Sequence, residues 1–203
     1  MSTKPKRKKY ITAKGTALYP HLRTPETYEG AEVGYTVQLQ LPKEETDAMI
    51  VFLEKALEAA KKMEQFKGKK WSKEPSLGTK ETKDGDTVFK FKTKASFEKD
   101  GQVIKKTVPV FDKYGKKLDP AINVGSGSII QVSYSLNPYH KSATNNGISL
   151  YLEAVRVVEL KEYEPGGNAE SYGFESEAGA EDGEFGFEGD TSVGEGNENG
   201  FDF

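Results

Sequence analysis

The 203-residue chain contains no cysteine. This absence excludes disulfide bonds, zinc sites built from thiolates and catalysis by a thiol. Two histidines, His21 and His140, are too few and too far apart in sequence to favour a histidine cluster for metal binding or catalysis. No apolar run approaches the roughly 18–20 residues of a membrane span, and no apolar segment follows the charged start of the chain. We therefore expect a soluble intracellular protein without membrane association.

Lysine and arginine are also absent from one long stretch of the chain. Residues 162–203 contain thirteen acidic residues and no basic one. All 29 basic residues therefore lie in residues 1–161, against 19 acidic ones, so the formal charges are about +10 for the body and −13 for the tail. A cationic body attracts phosphate and an anionic segment can compete with that phosphate, so this asymmetry indicates nucleic-acid binding.

Composition divides the chain into three parts. Residues 1–9 form a basic arm that we expect to be mobile, and contact with phosphate and simple solubilisation are both compatible with it. Residues 10–161 have the apolar content of one ordinary domain. Residues 162–203 are dominated by Gly, Glu and Ser, which cannot bury enough apolar area to offset the entropy of ordering. We expect this acidic tail to be disordered.

The domain shows mostly the two-residue period of β-strands. Strict alternation over 35–41 predicts a half-buried strand that ends at Pro42. Apolar residues spaced three and four apart then predict one amphipathic helix over about 43–66, followed by a polar loop over 67–86. Four further strands are predicted over 88–97, 103–111, 129–136 and 148–160, the first two joined by a turn at Asp100-Gly101. Five or six strands with one inserted helix predict a small closed or nearly closed β-barrel, a mainly β fold.

The best candidate for a binding surface is the segment Phe89–Phe97. Side chains alternate between the two faces of a strand, so Phe89, Phe91, Ala95 and Phe97 are expected to point inward. Three lysines would then form an outward row at spacings of about 6.6 Å, twice the rise per strand residue. This spacing resembles the phosphate repeat of an extended single strand. The row consists of Lys90, Lys92 and Lys94.

Other residues could add to this surface. Tyr139 is expected in a loop or at a strand end after Pro138, where it could stack on a base or cover the mouth of the barrel. Further positive charge lies at Lys141, Lys116 and Lys117.

Signals of an enzyme are weak. Gly125-Ser126-Gly127-Ser128 precedes a strand and not a helix, which argues against a dinucleotide or phosphate loop. The carboxylates of a disordered tail cannot be preorganised for acid–base catalysis. We expect no enzymatic activity, no cofactor and no metal.

Several segments resemble the bacteriophage single-stranded DNA-binding proteins of the T-seven-like podophages. The resemblance runs through most of the body, in an order and spacing that together are specific. It is carried by the segments 15–17, 35–42, 89–97, 115–117, 127–128, 134–139 and 152–160 and by the acidic tail that ends in Asp202-Phe203.

The resemblance implies an OB-fold barrel with an inserted helix that binds single-stranded DNA without sequence preference, in DNA replication, recombination and repair in the cytoplasm of an infected bacterium. It also implies that the tail competes with DNA and docks on the phage DNA polymerase and primase-helicase, and that the body can form a homodimer. We expect Phe201, Asp202 and Phe203 to contact those partners.

The family's groove lysines fall on Lys90 and Lys92, and its loop tyrosine falls on Tyr139. The chain departs from the family at three positions, where Glu32 replaces a basic residue and Lys94 and Lys141 replace aromatic ones. We therefore expect a groove that depends more on charge than on stacking. The alternatives are an RNA-binding OB-fold protein and an acidic-tailed adaptor.

Overall fold

The computed structural model describes residues 7–99 and 101–163. The predicted arm up to residue 6 and the tail from residue 164 onward, with Phe201, Asp202 and Phe203, lie outside the described residues. The elements are β1 (Lys9–Ile11), β2 (Gly15–Tyr28), β3 (Ala31–Gln40), α1 (Lys43–Lys61), β4 (Thr79–Glu81), β5 (Thr87–Thr93), β6 (Ser96–Lys99), β7 (Gln102–Lys105), β8 (Val110–Phe111), β9 (Ile129–His140) and β10 (Asn146–Glu159).

Five strands close into a barrel. β2 pairs with β3, β3 with β5, β5 with β10, β10 with β9, and β9 with β2 again. The β5–β10 pair is parallel and the other four pairs are antiparallel. This closed order with its single parallel pair is the topology of the OB-fold, a Greek-key barrel. The predicted mainly β fold and its OB-fold class are confirmed.

Inward side chains of the five strands fill the barrel. Phe89 and Phe91 of β5, Leu39 of β3, Ile130 of β9 and Leu150 of β10 are fully buried. Each of these residues has at least one more exposed neighbour on its strand, as the two-residue period of a strand predicts. The alternation read from the sequence therefore places Phe89 and Phe91 in the core correctly.

The inserted helix is shorter than the predicted 43–66. Its buried residues Met49, Leu53 and Leu57 belong to the same core as the barrel. α1 ends at Lys61, because Met63 takes an extended conformation (φ −64°, ψ 143°). A 3₁₀ turn follows at Glu64–Phe66, and the ring of Phe66 packs against that of Trp71, with the ring centroids 5.6 Å apart. Within the described ranges, no helix has both the length and the apolar character that a bilayer crossing requires.

The strand predicted over 88–97 ends early. β5 stops at Thr93, where its register with Tyr35 of β3 also ends. Beyond this point the chain leaves the barrel as the β6–β7 hairpin, and Phe97, expected to point inward, is 44% exposed. β6 and β7, on either side of the predicted turn, do pair as antiparallel strands. Pro109, which has no N–H to donate, precedes β8, and β8 pairs with β10 and not with β6.

Strand β9 extends further than predicted. It continues through Pro138 to His140, so Tyr139 lies at the end of a strand, opposite Gly147 of β10, which is the second of its two expected positions. β1 covers the other side of β9 only as far as Ser135. Proline is tolerated beyond that point because, among the described residues, the strand is paired there with β10 alone.

Part of the predicted mobile arm contacts the barrel. Lys9 begins β1 and pairs with Ser135 of β9, and its ammonium lies 4.0 Å from the carboxylate of Glu153. The guanidinium of Arg7 lies over the ring of Tyr151, 5.0 Å from its centroid. Lys9, which the sequence assigned to the arm, is therefore the first residue of β1.

Candidate nucleic-acid interface

A groove of about 270 Å³ lies where β4, β5, β9 and β10 meet. The pairing of β4 with β5 and of β5 with β10 places side chains from distant parts of the sequence along it. The groove is lined by Ser76, Gly78, Thr79, Lys80, Lys90, Lys92, Tyr139, Ile148, Ser149 and Leu150. Three of these residues are lysines and one is an aromatic with a polar tip, and none is acidic.

Lys90 is partly neutralised by Glu26 of β2. The ammonium of Lys90 lies 3.6 Å from the Glu26 carboxylate, which also accepts a 2.8 Å hydrogen bond from the Thr36 hydroxyl. Burial acts to raise the pKa of Glu26, but the Thr36 hydrogen bond and the charges of Lys90 and His21 outweigh it and hold the pKa below its usual value. Glu26 is therefore a carboxylate at neutral pH and competes with any other anion for Lys90.

Lys92 and Lys80 present their charges without such a competitor. Both side chains are exposed, and neither ammonium lies within 4.0 Å of a carboxylate among residues 7–99 and 101–163. Lys80 was not predicted, because it lies in the segment 67–86 that the sequence indicated to be a loop. Its position on β4, opposite Val88, brings it to the groove.

Tyr139 forms part of the groove wall, and a tightly packed segment supports that wall. The amide N–H groups of Ser72 and Ser76 donate to the side-chain and main-chain oxygens of Asn146, at 3.1 and 3.0 Å. The N–H of Ile148 in turn donates to the carbonyl of Ser76 at 2.7 Å. Gly147, opposite Tyr139 on β10, also forms a bridge with Ser76, so the backbone that carries the half-buried Tyr139 is held by this segment.

The structure does not bring the other predicted lysines into the groove. Lys94 is exposed after the end of β5, and Lys141 is exposed in the turn between β9 and β10. Lys116 and Lys117 lie in the turn after β8, which pairs with Val155 of β10. Leu150 lines the groove, and Val155 lies five residue steps of about 3.3 Å each further along β10. A role for these four lysines in binding stays a prediction.

A second basic contact, which the sequence did not reveal, lies at the end of β5. The ammonium of Lys106 donates to the hydroxyls of Thr93, at 2.9 Å, and Tyr151. Burial acts to raise the pKa of Tyr151, but the hydrogen bonds and the positive charge of Lys106 lower it below the usual value. Tyr151 pairs with Lys92 across the β5–β10 ladder, so this cluster adjoins the groove.

A larger cavity, of about 480 Å³, lies on another part of the barrel, against Tyr19, His21 and Ser126. It has one guanidinium, that of Arg23, which donates to the carbonyl oxygens of Leu118, Asp119 and Ile122. Because these hydrogen bonds already use Arg23, the smaller groove is the better candidate for a polyanion.

No cluster of three metal-ligating side chains occurs in the described part of the chain.

The architecture and the groove define a class. This is an OB-fold barrel with a lysine-lined groove beside an aromatic side chain, the combination with which such barrels hold single strands of nucleic acid. A family profile described as "Single-stranded DNA-binding protein, Bacteriophage T7" matches residues 26–160. The chain belongs to this family, as its sequence segments predict.

Individual relatives agree. The chain is 40% identical over 90 residues to the single-stranded DNA-binding protein of Enterobacteria phage T3. The aligned region covers 43% of this chain and 39% of the relative. The chain is 38% identical over 97 residues to the single-stranded DNA-binding protein of Escherichia phage T7, covering 46% of this chain and 41% of the relative. The matched regions thus span about 40% of the length of these curated relatives.

Solved structures share the fold. The crystal structure of gp2.5, a single-stranded DNA-binding protein encoded by bacteriophage T7, superposes on this chain with a TM-score of 0.58 at 29% sequence identity. The superposition covers 76% of this chain and 93% of the gp2.5 chain. The single-stranded DNA-binding protein of bacteriophage Enc34 in complex with ssDNA gives 0.52 at 19% identity, covering 78% and 89%. The second likeness concerns the fold alone.

Proposed function

We propose that this protein binds single-stranded DNA without sequence preference and acts by binding alone, without catalysis. The observation that carries this proposal is the groove in which Lys80, Lys90 and Lys92 converge beside Tyr139 on a barrel of this family. Lysines recognise phosphate as point charges and read no base, so such a groove holds a strand of any sequence.

The three lysines and the tyrosine have separate roles in the proposal. Lys92 and Lys80 contact phosphates directly, whereas Lys90 must exchange the Glu26 carboxylate for a phosphate. Tyr139 stacks on one base, which is worth about 1–3 kcal/mol. A protein that binds single strands in preference to the duplex melts weak helices and protects replication intermediates by mass action.

The salt dependence of binding tests the phosphate contacts. If four to six phosphates are neutralised, log K should fall against log salt with a slope of about −3 to −4 for a single strand. Lys92→Ala should weaken the binding of oligothymidylate and reduce the slope by about 0.7. Lys55→Ala is the matched control, since Lys55 is exposed on α1 and lies outside the groove. Unchanged affinity and slope for Lys92→Ala would refute the proposed groove.

The same titration separates the nucleic-acid classes. Oligothymidylate, the corresponding duplex and an RNA strand of equal length are compared at one salt concentration. Tighter binding of the DNA single strand supports the proposal. Equal or tighter binding of RNA supports an RNA-binding protein, and no binding at low salt supports an acidic-tailed adaptor.

The acidic tail supplies the second part of the proposal. A segment with thirteen carboxylates on a body of charge about +10 competes with DNA for the lysines of the groove. When DNA displaces the tail, Phe201, Asp202 and Phe203 become available to the phage DNA polymerase and primase-helicase. The aromatic end enters a pocket of the partner while the carboxylates meet a basic rim.

The biological setting follows from the family. We propose that the protein acts in phage DNA replication, recombination and repair in the cytoplasm of the infected bacterial host, and that its body forms a homodimer. Sedimentation velocity of the full chain at several concentrations tests the dimer, and a single monomeric species would refute it.

A further inference from the structure

The β6–β7 hairpin presents apolar side chains to solvent. Phe97, Val103 and Ile104 are 44%, 73% and 38% exposed. Within the described residues the two strands pair only with each other. A two-stranded hairpin alone is marginally stable in water, and apolar side chains grouped at its surface are typical of a binding site. The hairpin therefore has the character of a surface that contacts another molecule.

The base of the hairpin is fixed to the barrel beside the groove. The N–H of Lys106 donates to the carbonyl of Ala95 at 2.6 Å, and the hydroxyl of Tyr35 donates to the carbonyl of Lys106 at 2.8 Å. The ammonium of Lys106 donates to the hydroxyl of Thr93, the residue that follows Lys92. The hairpin thus begins where the lysine row of β5 ends, and its base has a defined position there.

Charge selects the kind of molecule that this surface contacts. Residues 94–106 contain four lysines and two acidic residues, so the hairpin has a net positive charge. Lys105 lies opposite Ser96 at its base and Lys99 lies opposite Gln102 near its tip. A lysine beside an apolar pair complements a chain that alternates phosphates with flat bases.

The pairing register divides the apolar residues between two faces. Phe97 is directly opposite Ile104, so these two side chains share one face with Lys99. Val103 is opposite Glu98 on the other face. Lys105, two residues after Val103, also lies on that other face. The first face therefore combines an aromatic ring, an aliphatic neighbour and the cation of Lys99, whereas the second combines its apolar residue with one cation and one carboxylate.

We infer that the β6–β7 hairpin extends the path of single-stranded DNA beyond the groove, with Phe97 stacking on a base and Lys99, on the same face, contacting a flanking phosphate. The inference rests on the proposed function, because the strand must first occupy Lys90 and Lys92. It adds a second, separate contact, which only a strand long enough to leave the groove can reach.

The experiment compares Phe97→Ala with Val103→Ala, which also shortens an exposed apolar side chain but on the opposite face. Fluorescence anisotropy is measured with oligothymidylates of about 6 and about 16 nucleotides, near the limits of the site size of one OB-fold. Phe97→Ala should weaken binding of the long strand roughly tenfold, the loss of one stacked base, and leave the short strand unchanged. Val103→Ala should bind both strands as the parent protein does.

Photo-crosslinking gives an independent measurement on the unmodified protein. Irradiation of a complex with a long strand containing 5-iododeoxyuridine should link the DNA to the peptide that contains Phe97. Absence of this crosslink, or equal affinity of Phe97→Ala and Val103→Ala for the long strand, overturns the inference. A change from dimer to monomer caused by Phe97→Ala without DNA, seen by sedimentation velocity, also overturns it and assigns the patch to a second copy.

The outcomes for the groove and for the hairpin are distinguishable. If Lys92→Ala weakens both strands and Phe97→Ala weakens neither, the proposed function stands and the hairpin contact is refuted. If Lys92→Ala changes neither strand, the groove is refuted first and the hairpin contact falls with it.

Discussion

Glu26 holds the ammonium of Lys90 at 3.6 Å, so a lysine of the candidate groove already has an anionic partner. The two residues come from β2 and β5, which are not neighbours in the barrel but flank β3. The Thr36 hydroxyl of β3 binds the same carboxylate. In the proposed binding mode, DNA must therefore displace an internal competitor at Lys90, whereas residues 7–99 and 101–163 offer none at Lys92.

Replacing Glu26 by Gln should tighten DNA binding. The amide can still accept the hydrogen bond from Thr36 but no longer competes for Lys90. A partly exposed ion pair is worth about 0–1 kcal/mol, so we expect an increase in affinity of up to about fivefold at low salt. Anisotropy titrations of Glu26→Gln and of the parent protein measure it.

Glu32→Gln is the control for this change. It also removes one negative charge, from an exposed side chain on β3 that forms no ion pair with a lysine among the described residues. If both variants bind equally well, the gain reflects overall charge and the specific role of Glu26 is refuted.

The ion pair should also make stability depend on pH on the acid side. The pKa of Glu26 is lower in the folded protein than its usual value of 4.5, so its contribution to stability is fully present above pH 4.5. That contribution is lost as the pH falls through the folded pKa. The free energy of unfolding of the parent protein should therefore fall toward that of Glu26→Gln below pH 4.5. Urea denaturation at several pH values checks this, and a constant difference down to pH 3 would contradict it.

Deleting residues 165–203 should tighten the binding of single-stranded DNA. The deletion removes most of the carboxylates that compete for the groove, and the gain should shrink as salt screens the charges. Affinity is measured at two salt concentrations for the full chain and the truncated chain. Unchanged or weaker binding by the truncated chain would contradict competition by the tail.

Phe203→Ala should weaken association with the phage DNA polymerase and leave DNA affinity unchanged. The substitution removes an aromatic anchor but no charge, so the two activities separate. Surface plasmon resonance with immobilised polymerase measures the first, and anisotropy measures the second. Retained association with the polymerase would refute the anchor.

Gly147→Ala should destabilise the protein and damage the groove. Gly147 has φ +147°, and a Cβ there would lie 2.0 Å from the carbonyl oxygen of Ser76. The change therefore separates β10 from the segment that supports Tyr139, and we expect a loss of about 2–4 kcal/mol. Gly30→Ala, at φ +77° with nothing within 4 Å, should cost only about 1 kcal/mol. Equal thermal shifts of the two variants would contradict the close contact.

Local patterns predicted the elements better than their ends. Alternation located the inward residues Phe89 and Phe91, and the 3–4 spacing located the helix. The same alternation placed Phe97 inside, which is wrong, because continuing a period assumes that the strand continues. β5 ends where its pairing with β3 ends, and that pairing depends on residues some sixty positions away.

The sequence alone determined the barrel's apolar content, the single helix, the division of charge between body and tail, and the outward lysines of β5. These properties depend on residue type and short-range period, which do not change when the chain folds. Only the tertiary structure decided that Lys80 joins Lys90 and Lys92, that Glu26 neutralises one of them, and that the β6–β7 hairpin leaves the barrel beside them. Those relationships arise from pairing between distant strands, whose register is set by closure of the whole barrel.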